Sequence, residues 1–376
     1  MERKVIEPKA IEPKPRVPAL DALRGLIMIV MALDHVRDFF HVDAIRFPPD
    51  DLTQTTAALF LTRWITHFCA PFFAFSAGAA AYLWMSHSGR TPADLTSYLW
   101  KRGLWLIVLE LTAMRVGVFL NPFAGPVLLT ILWALGCSMV ALAFLCRLPT
   151  RLLGVLSVAV ILLHNLTDSA GFSNPVWTVF HRQGFVAPGV FVAYPLIPWV
   201  FVMAAGYCWG RVLTGEGRAR QRWLFQVGGL LTAAFVVIRG INVYGDPQPW
   251  SVQGTPLFTV LSFLRCTKYP PSLDFLLMTL GPCLVMLALV DRAQPSQRNP
   301  LVTIGRVPLF FFLVHLVLAH LLTIPFAWGS PGAPENRHSL GIGYVAWLMG
   351  VGVMYPLCLW FGRVRAGGGA WWLRYL

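Results

Sequence analysis

Apolar runs of about 20 residues, separated by short polar loops, recur along the whole chain and leave few folds open to it. A helix that rises about 1.5 Å per residue needs about 20 apolar residues to cross roughly 30 Å of hydrocarbon. Only 12% of the 376 residues are charged, whereas soluble domains carry roughly 25%, and mean hydropathy is +0.62. The sequence therefore predicts an all-α integral membrane protein.

The apolar runs predict about ten transmembrane helices in a single bundle. They lie near residues 20–40, 58–84, 99–120, 126–146, 150–168, 189–210, 223–243, 273–291, 303–326 and 341–362. The longest segments between them, about 168–188 and 244–272, are expected on the outer side, as a lid or a substrate-facing surface. The first run has no small-residue cleavage site behind it, so we expect a retained helix.

Lysine and arginine are concentrated at both ends of the chain and in alternate loops. Because such residues mark cytoplasmic loops, both termini are predicted to be cytoplasmic. This divides the chain into a basic tail at 1–18, a polytopic domain at 19–365 and a second tail at 366–376. The net charge of +13 follows the loops, which argues against nucleic-acid binding. The seven cysteines lack metal-ligand spacing, so neither a disulfide framework nor a metal site is predicted.

The first apolar run carries an unusual density of charge. Within ALRGLIMIVMALDHVRDFFH, the apolar stretch Leu26–Leu33 ends in Asp34, His35, Arg37 and Asp38. Insertion scales place an Asp or Arg at a helix centre at about 2.5–3.5 kcal/mol, so three facing lipid would cost about 9 kcal/mol. These side chains are therefore expected to face a protein interior or a water-filled cavity, as a buried ion-pair network or as a functional site.

Spacing along this helix places its polar residues in stripes. Arg24 and His35 are eleven residues apart, which is three turns plus about 20°, so they share a face about 16 Å apart along the axis. Asp34, Asp38 and His41 form a neighbouring stripe. His35 differs from the charged residues because it can be neutral near pH 7 and exchange a proton, which favours a functional role.

Polar residues in later runs are candidates to reach the same cavity. For each of them, pairing between helices is as good an interpretation as direct chemistry. They are His67, Glu110, Arg239, Asn242, Lys268 and His315. Ion pairs are expected at i, i+3 from Asp21 to Arg24 and from Asp34 to Arg37. The small residues of AFSAGAAAY predict close packing of two helices.

The opening motif LDALRGLIMIVMALDH resembles the transmembrane acyltransferase superfamily and, within it, the bacterial branch of the heparan-alpha-glucosaminide N-acetyltransferase catalytic-domain family. The shared pattern is D-x-x-R-G, here Asp21, Arg24 and Gly25, together with the Arg-x10-His spacing of Arg24 and His35. The segments RWITHFCAPFFAFSAG, RGLWLIVLEL, KYPPSLDFLLMTLGP and WWLRYL extend the resemblance over nearly the whole chain.

The resemblance implies an integral-membrane acyltransferase that moves an acetyl or other short acyl group from cytoplasmic acyl-CoA to an extracytoplasmic sugar or glycan. It implies an intramembrane His at the reaction centre, for which His35 is the first candidate. The animal enzyme has Asn at this place and its catalytic His further along, which makes His41 a competitor. Expected partners are the bilayer, acyl-CoA, a glycan or amino-sugar acceptor and a second copy of the chain. The expected location is a bacterial inner membrane.

Histidine suits acyl transfer from a thioester, either as the base that takes the acceptor's proton or as the nucleophile that carries the acyl group. A carboxylate, Asp38 in preference to Asp34, is expected to orient the imidazole. Arg63 or Asn242 is expected to stabilise the thioester oxyanion. Cations expected to hold the donor, in part through its phosphates, are Arg24, Arg63, Lys101 and Arg102.

Two other functions are open to the same residues. A proton-coupled transporter or flippase would use the Asp, His and Arg cluster as a relay. A scaffold protein would use it only to hold helices together. Substrate flux that needs a proton gradient and no acyl donor would indicate the transporter. Substitutions of His35, Asp34 and Glu110 that cost only stability would indicate the scaffold.

Overall fold

The computed structural model describes residues 17–43, 46–87, 90–121, 123–168, 174–324 and 338–367. The predicted tails at 1–18 and 366–376 lie mostly outside these residues. Within the described ranges the chain is mainly helical, as the apolar runs predict.

The helices follow the apolar runs, and some are interrupted inside one. The first eight are α1 Pro18–Phe40, α2 Ala57–Thr66, α3 Cys69–His87, α4 Pro92–Leu111, α5 Ala113–Phe119, α6 Ile131–Leu145, α7 Thr150–Leu163 and α8 Pro175–His181. The others are α9 Trp199–Leu213, α10 Gly217–Ile241, α11 Pro256–Leu264, α12 Leu273–Ala293, α13 Pro300–Gly305, α14 Pro308–Thr323 and α15 Leu340–Ala366. The run predicted at 58–84 is thus divided between α2 and α3.

Several helical segments are long and apolar enough to cross a membrane. Five such segments occur among the described residues, namely Ala57–Ser86, Thr150–Thr167, Gly217–Ile241, Leu273–Ala293 and Leu340–Ala366. Shorter apolar helices are α6, α9 and α14, and α1 fails the same criterion because of its charges. A helical membrane protein is therefore confirmed, while the count of ten spans and the side of the termini stay predictions.

A small β-sheet replaces the start of two predicted helices. The strands β1 Val127–Leu129, β2 Gly184–Ala187 and β3 Val190–Val192 lie in the order β1-β3-β2. β3 is parallel to β1 and antiparallel to β2, and Gly189, at φ 75°, makes the turn between them. The helices predicted to begin at 126 and 189 begin instead at Ile131 and Trp199, because short apolar runs fit a strand as well as a helix.

Glycines allow α1 to pack backbone against backbone on α13, and α3 to pack in the same way on α9. A Cβ at Gly25 would overlap the Leu301 carbonyl of α13, and a Cβ at Gly305 would overlap the carbonyl of Asp21. Gly78 meets α9 in the same way, which confirms the packing surface predicted from AFSAGAAAY. The helix that carries Arg24 and His35 is therefore fixed closely against its neighbours.

Candidate active site

Three of the cavities lie one after another, from the first turns of α1 to the loop beyond its end. The Arg24 cavity, of about 180 Å³, has Arg24, Met28 and Arg102 in its wall. The His35 cavity, of about 40 Å³, is lined by His35, Asp34 and Lys268 among others. The Arg265 cavity, of about 260 Å³, lies among the loop residues 48–50 and 265–269, with Arg63 and His67.

Neighbouring cavities share side chains. Phe73, Ile131 and Phe312 line both the Arg24 cavity and the His35 cavity. Lys268 lines both the His35 cavity and the Arg265 cavity. The small cavity at His35 is therefore the meeting point of the two larger ones, separated from one by apolar side chains and from the other by a lysine.

His35 is hydrogen-bonded to His315 of α14. The distance from His35 Nδ1 to His315 Nε2 is 2.7 Å, and His315 Nδ1 lies 2.9 Å from the carbonyl oxygen of Phe311. Because a carbonyl oxygen only accepts, His315 Nδ1 carries the proton, and the neutral ring then accepts a hydrogen bond from His35 Nδ1. This chain of bonds leaves the lone pair of neutral His35 on Nε2, which is the form that a base or a nucleophile needs.

Aromatic rings fix the orientation of this histidine pair. The imidazole of His315 stacks on Phe311 at 5.4 Å between centroids, and Phe312 lies 5.8 Å away. Phe312 also meets the edge of the His35 ring at 6.2 Å. His315 is 3% exposed, so its hydrogen bond with His35 has little competition from water.

Asp34 is bound by two arginines and does not hold His35. Arg37 Nη1 lies 2.9 Å from one carboxylate oxygen, as predicted, and Arg63 Nη1 donates to the other. Asp38 pairs with Arg37. Neither carboxylate takes the place expected for it beside the imidazole, which His315 occupies. A guanidinium is always charged and forms stronger hydrogen bonds with a carboxylate than a neutral ring does.

His41 lies where α1 ends. Its Nδ1 accepts a hydrogen bond of 3.2 Å from the backbone N–H of Asp43, and its backbone forms a parallel bridge with His338. The helix thus places His41 nearly two turns beyond His35, in contact with the loop that follows.

Arg24 is built into the wall of its cavity. Its Nε donates to Ser76 Oγ at 3.1 Å and its Nη2 to the Ser76 carbonyl, while its Nη1 lies 3.6 Å from Asp21 and confirms that predicted pair. Arg102 of α4 lines the same cavity. Lys101, the neighbour of Arg102, is exposed and is not part of this wall. Of the four cations predicted to hold the donor, Arg24 and Arg102 therefore line the same cavity.

A pair of tyrosines lies at the boundary between the His35 and Arg265 cavities. Tyr269 donates a hydrogen bond of 3.3 Å to Tyr194, which lines the His35 cavity. Tyr269 lines the Arg265 cavity together with two residues predicted for the site, Arg63 and His67. Lys268, also predicted, extends into both.

Glu110 caps a helix. Its carboxylate accepts hydrogen bonds from Thr130 Oγ1 at 2.8 Å and from the backbone N–H of Trp133 at 2.9 Å. These groups lie at the first turn of α6, where unpaired N–H groups favour an anion. Glu110 is 2% exposed and is not in the wall of any of the three cavities.

Arg239 and Asn242 organise the long loop after α10. The Arg239 guanidinium donates hydrogen bonds to the backbone carbonyls of Gln248, Ser262, Phe263 and Arg265. Its Nη1 also lies 3.9 Å from Asp246 and 3.8 Å from Asp274. The Asn242 amide exchanges two hydrogen bonds with the backbone of Trp250. Neither residue lines the three cavities. Their effect on the site is indirect, since the loop that they shape carries Lys268.

Sequence reasoning missed Ser76, Tyr194, Tyr269 and Arg265. Ser76 lies in the small-residue segment of α3, which gave only a packing signal. Tyr194 and Tyr269 are 75 residues apart, and no spacing rule joins them. Arg265 and Tyr269 flank the predicted Lys268, so the basic and aromatic composition of RCTKY was the one available signal.

The described residues contain no group of three or more His, Cys, Asp or Glu side chains arranged to hold a metal ion. The histidine pair at His35 and His315 is bonded within itself and to a backbone carbonyl.

Comparison with known proteins gives one family. The sequence model described as "Heparan-alpha-glucosaminide N-acetyltransferase, catalytic" matches residues 16–243. This is well over half of the chain, and it includes α1 with Arg24 and His35. A search of curated proteins found no match.

Proposed function

The chain belongs to the heparan-alpha-glucosaminide N-acetyltransferase catalytic family, and from that premise we propose that it transfers an acetyl group from acetyl-CoA to a sugar acceptor. The donor occupies the Arg24 cavity from the cytoplasmic side. The acceptor occupies the Arg265 cavity on the opposite side of a bacterial inner membrane. His35 lies where they meet and acts as the base or as the acyl carrier.

One observation carries this proposal, the placement of His35 between two larger cavities. Phe73, Ile131 and Phe312 border it on one side and Lys268 on the other. An intramembrane enzyme that joins reactants from opposite sides needs such a junction. A structural ion-pair lock does not need a cavity, and in this chain the lock is formed by Asp34 with Arg37 and Arg63.

The walls of the Arg24 cavity fit a donor with an anionic head and a long, weakly polar arm. Arg24 and Arg102 supply guanidinium groups, which bind phosphate in a bidentate manner. The remaining wall is mainly apolar, and alanine, leucine and methionine side chains of α3, α4 and α6 form half of it. The phosphates of coenzyme A are proposed to lie at the arginines, and the thioester to reach the His35 cavity.

Transfer requires one proton to be moved twice. His35 Nε2 takes the proton of the acceptor's hydroxyl or amine while the acceptor atom attacks the thioester carbonyl. The C–S bond then breaks, and the imidazolium returns the proton to the departing sulfur. If His35 is instead the acyl carrier, its Nε2 attacks first and the acceptor attacks the acyl-imidazole. Lys268 lines the same cavity and takes the oxyanion role that was expected of Arg63 or Asn242.

Acetyl-CoA binding and label transfer test the function together. Purified protein in detergent is expected to show saturable binding of acetyl-CoA and of desulfo-coenzyme A by calorimetry. Membranes that contain the protein are expected to move label from [14C]acetyl-CoA into their glycan fractions, and membranes without it are not.

Absence of donor binding in a folded preparation would contradict the proposal. A proton-driven substrate flux that needs no acyl donor would instead support the transporter.

A further inference from the structure

The wall of the Arg265 cavity differs from an ordinary sugar-binding surface in its charge. Its charged residues are Asp50, Arg63, Arg265 and Lys268, which gives three cations and one carboxylate. The uncharged polar part of the wall is formed by Gln183, Gln248, His67, Thr267 and Tyr269. At about 260 Å³, the cavity is slightly smaller than most small-molecule sites, which enclose roughly 300–1,000 Å³.

Two of the three cations are already neutralised, and one is not. Arg63 is paired with Asp34, and Arg265 Nε lies 3.8 Å from Asp50. Lys268 has no ion-pair partner among the described residues; its Nζ lies 5.2 Å from the ring of Tyr269. The cavity therefore carries an excess positive charge, located at the residue that borders His35.

Unused hydrogen-bond donors accompany this charge. Arg265 Nε is buried and donates to no acceptor among the described residues, and the Lys268 ammonium has three donors. The pKa of Tyr269 reflects the same charges: burial raises the pKa of its phenol, but Lys268, Arg63 and the hydrogen bond with Tyr194 together lower that pKa by more. A bound anion would accept hydrogen bonds from the Lys268 ammonium and balance its charge.

We propose, on the basis of the function above, that the Arg265 cavity binds an acceptor that carries an acidic group, a carboxylate or a phosphate, and that presents a hydroxyl to the acyl group. Lys268 holds the acidic group beside His35. The reaction is then O-acylation: the hydroxyl proton passes to His35, the new C–O bond forms, the C–S bond breaks and coenzyme A leaves as the thiol.

The same charges oppose an amino-sugar acceptor. An amine is mostly protonated near neutral pH and would need a carboxylate partner to bind. Asp34 is shared by two arginines, and Asp50 faces Arg265. A second positive charge next to Lys268 would be repelled in a cavity of low dielectric constant. The chain is therefore predicted to differ from its family's named acceptor.

Four sugars that share one ring and differ in charge test this inference. Glucuronate, glucose 6-phosphate, glucose and glucosamine are titrated into the full chain in detergent, with acetyl-CoA binding measured in the same preparation. Loss of one charge-assisted hydrogen bond costs tenfold or more in affinity. Glucuronate or glucose 6-phosphate is expected to bind at least about tenfold tighter than glucose, and glucosamine weaker than glucose. The better of the two anions identifies the carboxylate or the phosphate.

Variants connect the preference to Lys268. Lys268→Gln is expected to lower the affinity for the anionic sugar to the affinity for glucose. Lys268→Arg is expected to retain the higher affinity for the anion. The exposed control Lys101→Gln is expected to leave the affinity for the anion unchanged. Glucosamine binding as tightly as the anions, an unchanged preference in Lys268→Gln, or no sugar binding in native protein that binds acetyl-CoA would each overturn the inference. Failure of acetyl-CoA binding would overturn the proposed function instead.

Discussion

The Arg24 cavity and the Arg265 cavity border the same histidine site and differ in how their walls are built. Two of the 18 side chains around the Arg24 cavity are charged, compared with four of the 12 around the Arg265 cavity. Helices α1, α3, α4, α6 and α14 supply the first wall. Loops supply nearly all of the second, with Arg63 of α2 as the helical contribution.

This difference indicates which part of the site is free to vary. Under the proposed function, helices fixed by glycine contacts, such as Gly25 against α13, hold the same donor in the same place in every member of the family. Loops on a rigid scaffold tolerate sequence change and carry specificity. Members of this family are therefore expected to share the Arg24 cavity and to diverge around the Arg265 cavity, according to their acceptors.

Apart from His35 itself, the largest effect on acyl transfer is expected at His315, which lines neither the Arg24 cavity nor the Arg265 cavity. His315→Phe keeps a ring beside Phe311 but removes the acceptor for His35 Nδ1. Transfer is expected to fall about 10- to 100-fold, as when other groups that orient a functional ring are removed. His315→Gln, whose amide oxygen can accept the same bond, is expected to recover part of the rate. Steady-state rates across a pH range give the measurement.

A purely structural His315 would leave the shape of the pH profile unchanged. Equal losses in the Phe and Gln variants, with native-like pH dependence, would contradict the positioning role.

An intermediate effect is expected on the donor side alone. Arg102→Gln should weaken the binding of acetyl-CoA about tenfold, since a hydrogen bond to a charged group contributes roughly 1.5–3 kcal/mol. Lys101→Gln removes the same charge one residue away, outside the cavity wall, and should change affinity less than about twofold. Calorimetry measures the affinity of both variants for acetyl-CoA and so distinguishes a contact in the cavity from an effect of surface charge. Equally weakened binding in the two variants would show that Arg102 does not contact the donor.

The smallest effect is expected at the tyrosine pair that separates the His35 and Arg265 cavities. Tyr194→Phe and Tyr269→Phe each remove one end of a single hydrogen bond, which contributes roughly 0.5–1.5 kcal/mol. Each is expected to lower kcat/KM about two- to tenfold, and the double variant should resemble either single one. Fully additive losses would show that the two hydroxyls act independently.

Local rules predicted a good part of this molecule from its sequence. The apolar runs gave the helices, and the i, i+3 spacing gave the ion pairs of Asp34 with Arg37 and of Asp21 with Arg24. The alanine- and glycine-rich segment gave the close contact of α3 with α9. In each case the interaction depends on residues within a few turns or on one residue type.

Tertiary contacts decided the rest. The partner of His35 is 280 residues away, so sequence spacing favours the nearer carboxylates instead. Asp34 is taken by Arg37 and Arg63, neither of which its spacing from His35 reveals. Glu110 and Arg239 looked like cavity residues because charge in an apolar run suggests function. Capping and loop anchoring satisfy such charges equally well. The strands at 127–129 and 190–192 are short apolar runs, and composition alone does not distinguish such a run from part of a helix.

Acyl transfer by two matched histidine variants tests the central claim, that the donor and acceptor cavities meet at His35. Membranes with His35→Gln or His41→Gln receive [14C]acetyl-CoA, and acetyl-CoA binding confirms that each purified variant is folded. His35→Gln is expected to bind the donor normally and to lose transfer by about 10²- to 10⁴-fold, while His41→Gln transfers at close to the native rate. Native transfer in His35→Gln, or loss in His41→Gln alone, would contradict the claim.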